Sequence, residues 1–177
     1  RTIHFAEWYA THGSDRDGYP WDDFDLSTGK GVSKKRGDWQ AGGALIYYQL
    51  WRVTGQARWK KALGRVLEIL ETICARDPGN DTAYTFHGDC TISVGNDDFA
   101  TTTLFAGYLA FKRREYLDLA ARRLRAALAR QDERGAFPNY GGTCVTALEL
   151  LEALDLAAAG IEVLPEDELV APLLKAA

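Results

Sequence analysis

The chain has no methionine, only three histidines and three cysteines, no excess of basic residues and no long apolar run. Each scarcity removes a class of protein. Cys74, Cys90 and Cys144 are odd in number and widely spaced, with no Cys-x-x-Cys pair, so neither a disulfide framework nor a zinc site is expected. A reducing cytoplasm is the expected location. Lys and Arg number 21 against 25 Asp and Glu, a net charge of −4, which argues against a nucleic-acid partner because phosphate binding needs a basic surface. Lys34, Lys35 and Arg36 read as a solvated loop. No stretch approaches the roughly 18–20 apolar residues needed to span a bilayer. The first residues, Arg1 to Trp8, are charged and already helical in pattern, unlike a secretory leader.

What is present is a repeat. Three segments share one plan: a helix ends, a polar turn follows, and an aromatic opens a loop. They are His12 to Pro20, Ala75 to Tyr84, and Ala129 to Pro138, with Tyr19, Tyr84 and Phe137 as the aromatics. Their spacing is that of helical repeat units. After each loop an apolar helix is predicted. The first starts near Trp39 and carries Leu45, Ile46, Tyr48, Trp51 and Val53. The second starts near Asp98 and carries Leu104, Phe105, Tyr108 and Phe111. The third starts near Thr143 and carries Val145, Leu148, Leu151 and Leu154. All three are rich in Gly and Ala, which permits close helix approach, and a helix apolar nearly all round is a buried one.

Amphipathic partners follow the first two. Trp59, Leu63, Val66, Leu67, Leu70 and Ile73 recur at three- and four-residue steps, as do Tyr116, Leu119, Ala120, Leu124 and Leu128. Gly55 is placed to stop the first inner helix. Buried and half-exposed helices therefore alternate, the inner-ring and outer-ring signature of an all-α (α/α) toroid or solenoid. Roughly three hairpins fit this length, whereas a closed six-hairpin barrel needs about twice as much chain. The expectation is one α/α-hairpin domain over residues 1–177, a partial toroid that self-associates or a piece of a larger one. The absent initiator methionine agrees with a fragment or processed form. Strand patterns are scarce; Thr91 to Val94 is the one short extended candidate.

In such an array the loops entering the inner helices face a central cavity, so acids there are the first candidates. Asp97 and Asp98 open the second inner helix. Two adjacent acids in a desolvated cavity cannot both ionise easily, so one keeps its proton and serves as a general acid. The same residues also suit a helix cap, which accepts backbone N–H bonds and complements the dipole. Trp21, Asp22 and Asp23, with Phe24 and Asp25, combine aromatics and acids, as needed to stack on a sugar face and bond its hydroxyls; a plain polar loop or a cation site is the competing reading. Trp39 is a stacking platform or core. His87, close to Cys90, is the one histidine near a suspected site, whereas His4 reads as packing. Thr101, Thr102 and Thr103 read as inner-helix packing with internal hydroxyl bonds. No cofactor-binding pattern is present.

Asp97-Asp98, then Phe105, then Tyr116-Leu117-Asp118-Leu119-Ala120 at an outer-helix start resemble the unsaturated glucuronyl and rhamnogalacturonyl hydrolases, six-hairpin glycosidases. Thr54-Gly55 followed by Trp59 is similar to a helix join common in those folds, as is Asp25 followed by Thr28-Gly29. The resemblance covers about half the chain. It implies an oligosaccharide substrate, with one aspartate of the doublet protonating the double bond of an unsaturated uronyl sugar and helping water add. A second resemblance is to class II terpene cyclases and squalene–hopene cyclases, which carry Asp-x-Asp-Asp at a helix start and Gln-x-x-x-Gly-x-aromatic repeats. Gln131, Gly135 and Phe137 match the repeat, while Gly95 stands where their first aspartate falls. That resemblance implies Asp97 as the protonating acid, a small-molecule substrate, and a cavity lined by Phe99, Phe105 and Tyr108. The third expectation is a non-catalytic α/α binding or scaffold domain, which holds if the acids only cap helices.

Overall fold

The computed structural model describes residues 2–21, 24–25, 27–31, 38–75, 99–137 and 142–176. The chain is mostly helical. Helix α1 spans Thr2–His12, and a two-stranded antiparallel ribbon follows, β1 Phe24–Asp25 with β2 Lys30–Gly31. A 3-10 helix, Asp38–Ala44, leads into α2 Leu45–Thr54, and then come α3 Ala57–Ala75, α4 Ala100–Phe111, α5 Arg114–Leu128, α6 Gly142–Ala158 and α7 Glu166–Ala176.

Helices α2 to α7 form three successive hairpins, and the links explain why. Between α2 and α3 stand only Gly55 and Gln56; Gly55 adopts φ 68° and its N–H donates to the Trp51 carbonyl at 2.8 Å, ending α2 as expected. Between α4 and α5 the reversal falls on Lys112, at φ 58° with its N–H on the Tyr108 carbonyl at 2.7 Å. Two-residue links force neighbouring helices to pack back on themselves. Helix α2 then touches α4, and α4 touches α6, so the three apolar helices lie side by side. Helix α4 is buried on almost every face, from Ala100 to Ala110. It approaches α3 closely: a methyl group added at Gly107 would sit 2.7 Å from Leu67 Cδ1.

The amphipathic helices bury the faces their periodicity gave. Trp59, Leu63, Val66, Leu67 and Leu70 of α3 are buried, as are Tyr116, Leu117, Ala120 and Leu124 of α5. Burying a leucine or valine of this kind contributes about 1.5–3 kcal/mol. Their outer sides carry ion pairs. Glu71 of α3 meets Arg113 at 2.8 Å, and Arg125 of α5 meets Glu168 of α7 at 3.0 Å. Exposed pairs add at most about 1 kcal/mol each and serve mainly to set register.

Two loops of the repeat have the same turn. In the first, Asp15 accepts the Asp17 and Tyr19 N–H groups on Oδ1, Gly18 N–H bonds the Asp15 carbonyl, and Asp15 N–H bonds the Tyr19 carbonyl. In the third, Asp132 accepts Arg134 and Ala136 on Oδ1, Gly135 bonds the Asp132 carbonyl, and Asp132 N–H bonds the Ala136 carbonyl. Gly18 and Gly135 hold φ 85° and 82°, a conformation that costs other residues roughly 1–2 kcal/mol. The turn aligns Tyr19 with Ala136 and Pro20 with Phe137, so the two buried aromatics differ by one position. The second copy of the repeat lies outside the described residues beyond Ala75.

Several expectations are corrected. The first inner helix does not begin as an α-helix near Trp39: a 3-10 segment containing Gly42 and Gly43 runs to Ala44 first. In α6, Leu148 and Leu151 are exposed at 51% and 49%, while Val145, Leu150, Ala153 and Leu156 are buried. Residues at strict three-residue steps drift round a helix of about 3.6 residues per turn, so Val145 and Leu154 cannot share a face. Val53 is likewise exposed. His4 is 88% exposed, pairing with Glu7 at 3.9 Å instead of packing. Asp25, Thr28 and Gly29 form the turn of the β-ribbon and join no helices. Thr91 to Val94 lies outside the described residues.

Candidate functional site

The side shared by α2, α4 and α6 holds a cavity of about 280 Å³. Helix α2 lines it with Leu45, Tyr48 and Gln49, and α4 with Thr102, Phe105, Ala106 and Leu109. Helix α6 adds Glu152, Asp155 and Leu156. The volume lies near the lower end of small-molecule sites, roughly 300–1,000 Å³. The lining mixes apolar residues with the polar groups of Tyr48, Gln49, Thr102, Glu152 and Asp155.

Glu152 is the chemically distinctive member. It sits in a helix rich in leucine and alanine, on the edge of the buried face, and is half-buried. Its Oε2 accepts a hydrogen bond from Thr102 Oγ1 at 2.6 Å, across the gap between α4 and α6. Burial pushes the Glu152 carboxyl above the usual carboxylate range; the Thr102 bond pulls it back in part, and the neighbouring Asp155 pushes it up again. A carboxyl so placed holds its proton closer to neutrality, the condition for a general acid. Asp155 is exposed, one turn further along the same helix. Tyr48 is buried, and its hydroxyl accepts from Arg52 Nη1 at 3.3 Å.

The threonines divide. Thr103 behaves as its sequence suggested, with Oγ1 at 3.0 Å from both the Ala41 and Phe99 carbonyls and no exposure. Thr102 does not. It turns to α6 and bonds the Glu152 carboxyl, whose pKa burial raises.

Of the residues singled out from sequence, Asp22, Asp23, His87, Asp97 and Asp98 lie outside the described residues. Trp39 falls in the 3-10 helix, and its side chain is outside them too. Trp21 is half-buried; its N–H donates to the Gly13 carbonyl at 2.8 Å, and its ring lies flat against Gly31 of the ribbon, with no room for a methyl group there. The structure thus puts Trp21 on the ribbon and brings a different set, Thr102, Glu152 and Asp155, to the cavity. The available signal was the run Glu149, Glu152 and Asp155 at three-residue steps inside an apolar helix. Among the described residues no group of three or more His, Cys, Asp and Glu side chains is arranged to hold a metal. No described helix is long and apolar enough to cross a membrane. Comparison with protein families, with curated proteins and with solved structures finds no match for this chain.

Proposed function

We propose that the chain is part of a carbohydrate-processing enzyme of α/α-toroid type, glycoside hydrolase-like, working by carboxylate acid–base chemistry in the cavity between its apolar helices. Glu152 is the general acid, protonating the leaving-group oxygen. Asp155 is the partner carboxylate, which supports the positive charge that develops on the sugar ring or activates water. The observation that carries this reading is Glu152: half-buried, raised in pKa and aimed by Thr102 at 2.6 Å. The mixed lining supports it as well. Sugars present apolar ring faces and polar edges, and the lining holds Phe105 and Leu156 together with Gln49 and the two acids. Asp97 and Asp98, five and four residues ahead of Thr102 in sequence, are further candidate carboxylates.

The test is turnover on a panel of aryl glycosides and unsaturated disaccharides by the native protein and by Glu152→Gln. The expected result is a kcat loss of about 10²–10⁴-fold with KM little changed. Undiminished turnover by Glu152→Gln removes Glu152 from the chemistry, and absence of turnover on the whole panel removes the reading. One observation favours a second reading, a terpene cyclase-like enzyme with Asp97 as protonating acid: five of the ten lining residues, including Phe105 and Leu109, are apolar. Consumption of a linear isoprenoid, lost in Asp97→Asn, would establish it instead.

A further inference from the structure

The cavity between α2, α4 and α6 is lined by two acids, Glu152 and Asp155, and among its described lining residues there is no Lys, Arg or His. We infer that it takes a ligand carrying an amino group, and that it discriminates against uronates and other anions. The inference rests on the cavity being the substrate site, and it names the charge class of that substrate.

An ammonium group suits every polar feature of the lining. It donates to the Asp155 carboxylate in a charge-assisted bond, roughly twice as strong as a neutral one, and to an oxygen of Glu152. It also fits the faces of Tyr48 and Phe105, the two aromatic rings of the wall, which attract cations through their quadrupoles. Tyr48 already meets one cation: the Arg52 guanidinium stands 5.7 Å from its ring centroid and its Nη1 bonds the hydroxyl. Arg52 is exposed and reaches the cavity only through Tyr48, so it leaves the carboxylates without a cationic partner from the lining. A uronate placed in the same space would bring its carboxylate beside Asp155 and Glu152, with no cation among the described lining residues to pair with it. Only desolvation would be gained, with no charge to meet it.

The probes are the methyl β-glycosides of glucosamine, glucose and glucuronic acid, together with cyclohexylmethylamine and cyclohexylmethanol as a pair without a sugar ring. Binding is followed by calorimetry and by NMR shifts of the lining residues in the full chain, at one ionic strength. The glucosaminide is expected to bind at least ~10-fold more tightly than the glucoside, with the glucuronide weakest. Asp155→Asn and Glu152→Gln are each expected to narrow that ratio to about threefold or less. Both changes are conservative, and Asp155 is exposed, so folding is not at issue for at least one of them. Equal or tighter binding of the glucuronide overturns the inference, as does a preference unmoved by both substitutions, or absence of binding by every probe. If the sugars fail while the amine outcompetes the alcohol, the carbohydrate reading falls and the charge preference stands. If the glucoside binds as well as the glucosaminide, the reverse holds.

Discussion

Asp132, in the loop before α6, and Glu152, in the middle of α6, meet opposite surroundings. Asp132 is exposed, and one of its oxygens takes two backbone N–H groups at 2.8 and 2.9 Å. Asp15 does the same in the first loop, and Asp25 takes an N–H and two hydroxyls in the ribbon turn. These loop carboxylates have their bonding satisfied by their own turn. Glu152 has a hydroxyl from another helix, partial burial and an acidic neighbour. A carboxylate that closes a turn is held where its charge is comfortable and is poorly placed to exchange a proton with a ligand. A carboxyl on an apolar helix beside a cavity is kept where its charge is costly, and that cost is what makes it a proton donor. Asp15, Asp25 and Asp132 build turns, whereas Glu152, with its raised pKa and its place beside the cavity, sits among leucines.

The largest expected effect tests the loop half of this contrast. Asp132→Ala removes two backbone bonds, and Gly135→Ala forces an alanine into φ 82°. Each is expected to lower stability by about 1–2 kcal/mol, read as a shift in urea midpoint at constant slope. Neither should alter ligand affinity in the cavity. An Asp132→Ala protein of normal stability that no longer binds ligand would break the comparison, because Asp132 would then belong to the site. Gln131, which donates to both the Gly135 carbonyl and the Pro172 carbonyl of α7 at 2.8 Å, gives the third loop an anchor of its own. In the first loop the corresponding Gly18 carbonyl accepts from Tyr47 of α2 at 3.2 Å. The same turn is thus tied down from two different helices.

The next effect is smaller and has the opposite sign. Glu152 has a raised pKa in the folded chain, so above the ordinary carboxylate value the folded state holds a proton that the unfolded state has released. Stability is therefore greatest at low pH, as far as this group is concerned, and falls as pH rises from the ordinary value through the raised one. Glu152→Gln abolishes that fall. At neutral pH the variant is expected to be more stable than the native protein while losing turnover. Thermal unfolding at several pH values reads this directly. Thr102→Val removes the bond that pulls the carboxyl down and should carry the fall to still higher pH. If Glu152→Gln is instead less stable throughout, Glu152 is a packing residue and the contrast with Asp132 disappears.

The hairpins were legible because period 3.6 survives in any sequence that must bury one helix face, and Gly55 marked a stop that the backbone uses. The loops were legible too: the shared turn is written as Asp, two residues, then Gly, in both Asp15 to Gly18 and Asp132 to Gly135. The ribbon was not, since two-residue strands have no alternation to read. The face of α6 was misjudged because three-residue steps look periodic over one or two turns and then rotate away, which is how Leu148 and Leu151 reach the surface. Glu152 was passed over for a related reason. Acids at three-residue steps in a leucine-rich helix ordinarily mark the solvent edge, and only the position of α4 beside α6 turns that edge into a cavity wall. Thr102 and Thr103 are adjacent in sequence and equivalent in composition; which hydroxyl stays within its own packing and which crosses to a carboxyl depends on the direction each faces, and neighbouring identical residues cannot announce that.

The smallest effect sharpens the contrast without involving the cavity. Asp25 is partly exposed and burial contributes little, so its carboxyl is held at about 2 by the Ser27 hydroxyl first, then the Thr28 hydroxyl and the Ser27 N–H. Hydrogen bonds to the charged form lower a pKa, just as burial raises one. Whatever Asp25 gives to folding is present above the ordinary carboxylate value and is lost as pH falls through about 2. An NMR titration of its carboxyl carbon should therefore show a midpoint at about 2, and the Ser27 amide should report the same midpoint. Ser27→Ala is expected to return the midpoint part of the way, and Ser27→Ala with Thr28→Ala most of the way. Global stability at pH 7 should hardly change. A native midpoint at the ordinary value would mean that the three bonds do not persist in solution, and the loop acids would then be free to do what the sequence suggested for them.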